Sequence, residues 1–149
     1  SVFARDILSE KKGPPPEINL FNEKNNGETV LKLIDNDLIE SAHDVSLGGI
    51  ITAVAKMSIC GQKGFELKKI KGLMNKFDYY FGEDQGRYII EVDPKNLSKV
   101  QILLKDNSVH FDEIGTVVEN DVIIDNDSIL NIGDLIESNT NWLENYMNK

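Results

Sequence analysis

The sequence predicts an α+β domain in which helices flank a mixed sheet. Helix-like and strand-like patterns alternate along much of the chain, but a predicted hairpin in the second half interrupts strict βαβ order. At 149 residues, the chain has the length of one domain with a substantial core.

The first half of the chain is predicted to contain two main helices and two strands. Apolar residues at three- and four-residue spacing predict a helix over about residues 22–37, and a short strand is expected at 39–43. The residues that set this first helix are Val30, Leu31, Ile34 and Leu38. Ser46 is the predicted N-cap of the next helix, which ends at Gly61, and a strand is expected at 65–67. One face of this second helix comprises Leu47, Ile50, Ile51, Val54 and Ser58.

The second half is predicted to hold three helices and a hairpin. Residues 72–80 are expected to form a helix before a turn at Gly82, and residues 88–92 a strand. Asp93-Pro94 predicts the start of a helix that ends near residue 106, with inward side chains at Leu97, Val100 and Leu104. Residues 109–118, broken at Gly115, are expected to form a hairpin with 122–124. The last helix is predicted to begin at Asn131 with a capping box to Asp134, and its apolar face comprises Ile132, Leu135, Ile136, Asn139, Trp142, Leu143 and Tyr146.

The composition of the chain argues against some classes of protein. The net charge of −9 argues against nucleic-acid binding, which needs clustered basic residues. Apolar runs are too short for a membrane span, and a single cysteine fits the cytoplasm, with Cys60 expected to be buried. Trp142 and Tyr146 are interpreted as core residues, and the aromatic residues at 77–81 as core and interface. A short amphipathic helix followed by three prolines predicts that residues 1–16 are a linker and the end of a preceding domain, with the main domain at 17–149.

Two glycine-flanked polar clusters are candidate binding sites. His43 and Asp44 follow a predicted strand, and Gly48 and Gly49 stand at a helix start, where backbone N–H groups favour anions. The alternative is that these residues have structural roles. In that case His43 is held by a hydrogen bond, Asp44 helps to cap the helix, and the glycines allow close helix packing.

The second cluster lies in the turn FGEDQGR. The side chains of Glu83, Asp84 and Gln85 are suited to binding Mg²⁺ or a polar ligand. The neighbouring Arg87 is suited to pairing with a phosphate or with these acids. The alternative is a solvated acidic turn. No nucleophile–base set, zinc spacing or P-loop is present in the sequence, so the residues alone indicate one ligand site, no catalytic residue and no metal-ligand set.

These motifs resemble those of a known protein superfamily. SAHDVSLGGIITAVAKMSICG is similar to the signature of the C-terminal domain shared by the aminoimidazole ribonucleotide synthetase superfamily. Within that superfamily, five further segments resemble the synthetase subunits of phosphoribosylformylglycinamidine synthases. These segments are GPPPEINL, NEKNNGETVLKLI, FGEDQGRYIIEV, IGTV and NWLENYM. The resemblance covers nearly the whole chain. Leu47 departs from the family pattern, which has an acid there.

The resemblance implies a partly ferredoxin-like mixed sheet and a role in purine biosynthesis. It implies ATP-dependent amidation of formylglycinamide ribonucleotide with Mg²⁺, with ammonia from a glutaminase subunit and the catalytic residues in upstream domains of the same subunit. The isolated chain is then expected to be inactive. Two alternatives remain: a scaffold domain that braces a pseudo-symmetric partner, and a domain of a sister synthetase or kinase such as selenophosphate synthetase or thiamine-monophosphate kinase.

Overall fold

The fold divides into two compact units that share the chain. A computed structural model describes residues 1–10, 13–68 and 75–148. The first unit comprises Ser1–Val54 and Asn75–Asp112, and the second comprises Ala55–Met74 and Glu113–Lys149. Together the units contain helices, a two-stranded sheet and a four-stranded sheet, so the predicted α+β class is confirmed.

The first unit combines helices with a two-stranded antiparallel sheet. Strand β1 pairs with strand β3, and Asp44 lies opposite Tyr88. Asn19 caps the long helix α2 by accepting the N–H of Asn22 at 3.0 Å. The elements of this unit are α1 (Val2–Asp6), α2 (Leu20–Asp35), β1 (Ser41–Asp44), the start of α3 (Gly49–Gly61), α4 (Lys76–Phe81), β3 (Tyr88–Glu91) and α5 (Leu97–Asp106).

The core of the first unit lies between α2 and α5. Leu33, Val100 and Leu104 are buried together there. Val100 and Leu104 follow the predicted inward face of α5. The buried face of α2 is rotated from the predicted one, because Thr29 and Leu33 are buried while Leu31 is 60% exposed. Apolar spacing identified this helix but not its orientation.

The second unit is built on a four-stranded mixed sheet in the order β4-β2-β5-β6. The central strand β2 runs antiparallel to β4 and parallel to β5, and β6 is antiparallel to β5. Phe65, Leu67, Val122 and Ile132 supply its buried apolar side chains. The elements are the rest of α3, β2 (Gly64–Leu67), β4 (Gly115–Val118), β5 (Asp121–Ile124), β6 (Asp127–Asn131) and α6 (Ile132–Met147).

Three predicted helix starts differ from the structure. Helix α3 begins at Gly49 rather than after Ser46, whose carbonyl oxygen accepts the N–H of Gly49 at 3.0 Å. Helix α5 begins at Leu97, because Asp93 caps only a turn by accepting the N–H of Lys95. Helix α4 begins at Lys76, and the part of the prediction at 72–74 lies outside the described residues.

The predicted hairpin is wrong. Strand β4 covers only 115–118, and β5 pairs with β2 and β6 instead of with β4. Strand β6 was not predicted at all. Proximity along the chain suggested the β4–β5 pair, but β2, about fifty residues earlier, takes the position between them.

Three residues expected in the core are exposed. Cys60 is exposed near the end of α3, and Trp142 and Tyr146 on α6 are 60% and 70% exposed. Helix α6 does begin after Asn131, as predicted. Asn131 caps the helix through its side chain, because its Oδ1 accepts the N–H of Gly133 at 2.8 Å. Within the described ranges, no helix is long and apolar enough to cross a membrane.

Leu33→Ala is expected to lower the free energy of unfolding by about 3 kcal/mol, since Leu33 is fully buried. Leu31→Ala is the matched control on the same helix, with an expected change below about 0.5 kcal/mol. Urea titrations followed by circular dichroism measure both. Equal losses for the two variants would contradict the observed orientation of α2.

Candidate functional site

A polar cleft of about 410 Å³ lies in the first unit. Its walls come from the end of β1, the loop that follows, the turn before β3, and α2. Among its lining residues are Glu23, Asp44, Leu47, Glu83, Gln85 and Arg87. Two parts of the chain that the sequence singled out therefore meet at one cleft.

The seven predicted site residues do not all face this cleft. Asp44, Glu83 and Gln85 line it, whereas His43, Gly48, Gly49 and Asp84 do not. Sequence reasoning missed Glu23, which belongs to α2. A Cβ atom added at Gly86 would lie 3.2 Å from the Cα of Glu23, which shows how closely α2 meets the turn. Asn26 strengthens this contact by donating its side-chain N–H to the Gly86 carbonyl at 2.9 Å.

His43 bonds to its chain neighbour. Its Nδ1 lies 2.6 Å from the carbonyl oxygen of Asp44 and 3.3 Å from Asp44 Oδ1. Because a carbonyl oxygen only accepts, Nδ1 is the donor in this contact. The contact fixes the ring against the end of β1.

Glu83 is held by two backbone N–H groups. Its Oε1 accepts the N–H of Gly48 at 3.0 Å and the N–H of Val2 at 2.7 Å. Burial of the carboxyl group opposes its ionisation, but these two bonds hold the pKa of Glu83 below its ordinary value of 4.5. The Gly48 N–H, which the sequence offered to a phosphate, is therefore bonded to a carboxylate of the same chain.

Gly49 allows a close backbone approach. It has φ +73°, and a Cβ atom there would lie 2.5 Å from the carbonyl oxygen of Tyr80 and 2.8 Å from that of Gly82. No side chain fits in that space. The structure thus shows close packing at Gly49 between the start of α3 and the end of α4.

Arg87 holds the acidic turn in shape. Its Nη2 donates to the Gly82 carbonyl at 2.7 Å and lies 3.3 Å from Asp84 Oδ2. Its Nε donates to the Asp84 carbonyl at 3.3 Å. The guanidinium therefore ties both ends of the turn together, and Asp84 has a cationic partner.

The cleft carries more negative than positive charge. Glu23, Asp44 and Glu83 line it, against Arg87 alone. Phosphate groups are repelled by such a surface unless a cation lies between them and the carboxylates. Within the described residues, no group of three or more His, Cys, Asp or Glu side chains is arranged to hold a metal ion. Mg²⁺ typically binds through one or two carboxylates and completes its shell with water and nucleotide oxygens, which is compatible with this donor set.

The sequence matches the family model described as AIR synthase related protein, C-terminal domain, over residues 1–126. It is 65% identical over 147 residues to the phosphoribosylformylglycinamidine synthase subunit PurL of Pelagibacter ubique, covering 99% of this chain and 20% of that protein. The corresponding protein of Bartonella tribocorum is 37% identical over 150 residues, again with 99% of this chain and 20% of its own length covered. The chain thus spans about a fifth of the curated relatives it matches.

The fold is also similar to that of a solved structure. The Thermotoga maritima PurL complexed with FGAR superposes with a TM-score of 0.71 at 20% identity, over 90% of this chain and 24% of that one. The likeness confirms the α+β fold class.

Gly49→Ala is expected to lower the free energy of unfolding by about 1–3 kcal/mol, because the added methyl group meets backbone at a positive φ. Gly61→Ala is the matched control in the same helix. A Cβ atom there meets nothing within 4 Å, so little change is expected. Thermal or urea unfolding of both variants measures the difference. A neutral Gly49→Ala would argue against close packing at this residue.

Proposed function

The chain belongs to the family of C-terminal domains of AIR synthase related proteins, and on this premise we propose that it is that domain of a phosphoribosylformylglycinamidine synthase. The observation that carries the proposal is the 65% identity to the Pelagibacter ubique subunit across 99% of this chain. The complete protein is then a C–N ligase that converts formylglycinamide ribonucleotide, ATP and ammonia to the formamidine, ADP and phosphate.

In this proposal the chemistry takes place mainly outside this chain. Phosphoryl transfer from ATP activates the amide oxygen of the substrate, and ammonia then displaces phosphate. The sequence offers no nucleophile–base set and no phosphate-binding loop for either step. Residues 1–16 are proposed to lead from a preceding domain, and the chain as a whole to complete the fold around the catalytic domains. The reaction belongs in the cytoplasm.

The cleft is the proposed contribution of this chain to ligand binding. We propose that Asp44 and Glu83, which line the cleft, hold a Mg²⁺ ion between themselves and a nucleotide phosphate, and that Gln85 hydrogen-bonds the ligand. Leu47, where the family has an acid, is 69% exposed at the cleft and offers neither a cation ligand nor a hydrogen-bond acceptor. Binding in the chain alone is therefore expected to be weak.

Exposed apolar side chains support docking to other domains. On α2, Leu20 and Phe21 are each about three-quarters exposed, and on α6 Trp142 and Tyr146 are more than half exposed. Such surfaces are typical of faces covered by other protein. We propose that upstream domains of the same subunit cover them, and that a glutaminase subunit supplies ammonia to the complete protein. The similarity of this fold to a chain in the solved structure of Thermotoga maritima PurLQS supports an assembly of this kind.

A second candidate function is a scaffold domain without ligand chemistry. It is favoured by the contacts of the acidic turn, because Glu83 bonds to two backbone N–H groups and Asp84 to Arg87. In this case the domain braces the subunit, and the cleft stays free of ligand during turnover.

A chimera is expected to retain the activity of its parent. The 147-residue stretch of the Pelagibacter ubique subunit that matches this chain is replaced by this chain, and product is measured from ATP, ammonia and formylglycinamide ribonucleotide. Turnover within about tenfold of the parent is expected, whereas this chain alone is expected to give no product. A folded chimera without activity would contradict the proposed function.

Cleft substitutions in the same chimera separate the two candidate functions. Asp44→Asn and Gln85→Ala are expected to raise the KM for Mg-ATP if the cleft binds nucleotide, and to leave turnover unchanged if the domain is a scaffold. Glu28→Ala, an exposed carboxylate on α2 paired with Lys24, controls for the loss of a surface charge.

Mg-ATP is expected to bind this chain at the cleft with a Kd of about 1 mM or weaker. Backbone amide shifts should change at Asp44, Gln85 and Gly86 when Mg-ATP is titrated. ATP with a chelator is the control, since the carboxylates then repel the phosphates. Tight binding that maps to α6 around Trp142 would exclude the proposed placement.

A further inference from the structure

Two helix starts meet at one carboxylate oxygen in the first unit. The N–H groups in the first turn of a helix have no partner within the helix. Val2 is the first residue of α1, and Gly48 immediately precedes α3. Both of their N–H groups donate to Glu83 Oε1, at 2.7 and 3.0 Å. A single side chain thus satisfies backbone groups that lie 81 and 35 residues away along the chain.

Helix α1 is also held by an aromatic stack. The ring of Phe3 stacks on Phe81 at 4.2 Å between centroids and lies 5.4 Å from Phe77. Ile7 and Leu8, which follow the helix, are more than half exposed. The Phe3 stack and the bond from Val2 to Glu83 both hold α1 against the segment 77–83.

Glu83 also borders the cleft. Its side chain is a lining group, and the turn that carries it is held by Arg87. The loop at 45–48 forms another wall, and Glu83 is bonded to Gly48 at the end of that loop. The same oxygen therefore contributes both to the position of α1 and to the shape of the cleft.

We infer that Glu83 is an internal latch that couples the docking of α1 to the conformation of the 45–48 loop. When the carboxylate leaves its two donors, helix α1 and the loop are released together. Because such coupling is reciprocal, a displacement of α1 also loosens the wall of the cleft. The inference concerns the fold of this unit and does not depend on which ligand the cleft binds.

Hydrogen exchange of single backbone amides in the full chain, followed by NMR, tests the latch. Glu83→Ala is expected to raise exchange at both Val2 and Gly48 by about tenfold or more, because each loses a bond to a charged acceptor. Gln85→Ala, on the same turn, is the control and is expected to change neither. Phe3→Ala, which removes the stack, is expected to raise exchange at Val2 strongly and at Gly48 measurably.

Glu83→Gln serves if the alanine variant does not fold. It keeps the size of the side chain and an acceptor oxygen but loses the charge, so a smaller rise at both amides is expected. Unchanged exchange at either Val2 or Gly48 in the Glu83 variants would overturn the inference. An unchanged Gly48 in Phe3→Ala would overturn the coupling, because α1 and the loop would then be held independently.

Discussion

The arrangement of the first unit depends on a carboxylate that is bonded to backbone rather than to a cation. Glu83 accepts N–H groups from Val2 and Gly48, and so bonds the start of α1 to a loop and a turn that the pairing of β1 with β3 already brings together. Hydrogen bonds to an ionised acceptor are roughly twice as strong as neutral ones, and partial burial increases the cost of leaving the donors unpaired. The cleft has its shape because its acidic turn is fixed at Glu83 and at Arg87.

The same bonds alter the chemistry available at the cleft. A glycine pair at a helix start is a favourable place for a phosphate, yet here a carboxylate already accepts the Gly48 N–H. The space beside Gly49 is filled by the backbone of Tyr80 and Gly82, which packs against it. In the proposed function, an anionic ligand therefore approaches from the side of Asp44 and Gln85 together with a cation.

Local patterns predicted much of the fold. The spacing of apolar residues identified α2, α3, α5 and α6, and Asn131 was correctly expected at the start of the last. Pairing between distant strands was not predictable, because nothing local in β4 or β5 indicates that β2 lies between them. The exposure of Trp142 was not predicted, for a related reason. An apolar helical face indicates that other residues cover it, but it does not indicate whether those residues lie in this part of the chain. Of the polar residues that the glycine-flanked motifs singled out, Asp44, Glu83 and Gln85 line the cleft. Glu23, which also lines it, carries no signal in the sequence, because it reaches the cleft only through the packing of α2 against Gly86.

The interleaving of the two units has a consequence for biosynthesis. The chain leaves the first unit after Val54, returns to it at Asn75 and leaves it again after Asp112. Strand β2 therefore emerges from the ribosome about fifty residues before β4, a delay of about 3–10 s at ordinary elongation rates. During that interval the apolar side chains of Phe65 and Leu67 have no sheet to join. Neither unit is completed by the first half of the chain, so the central strand of the second unit can pair only after synthesis has reached β4 and β5.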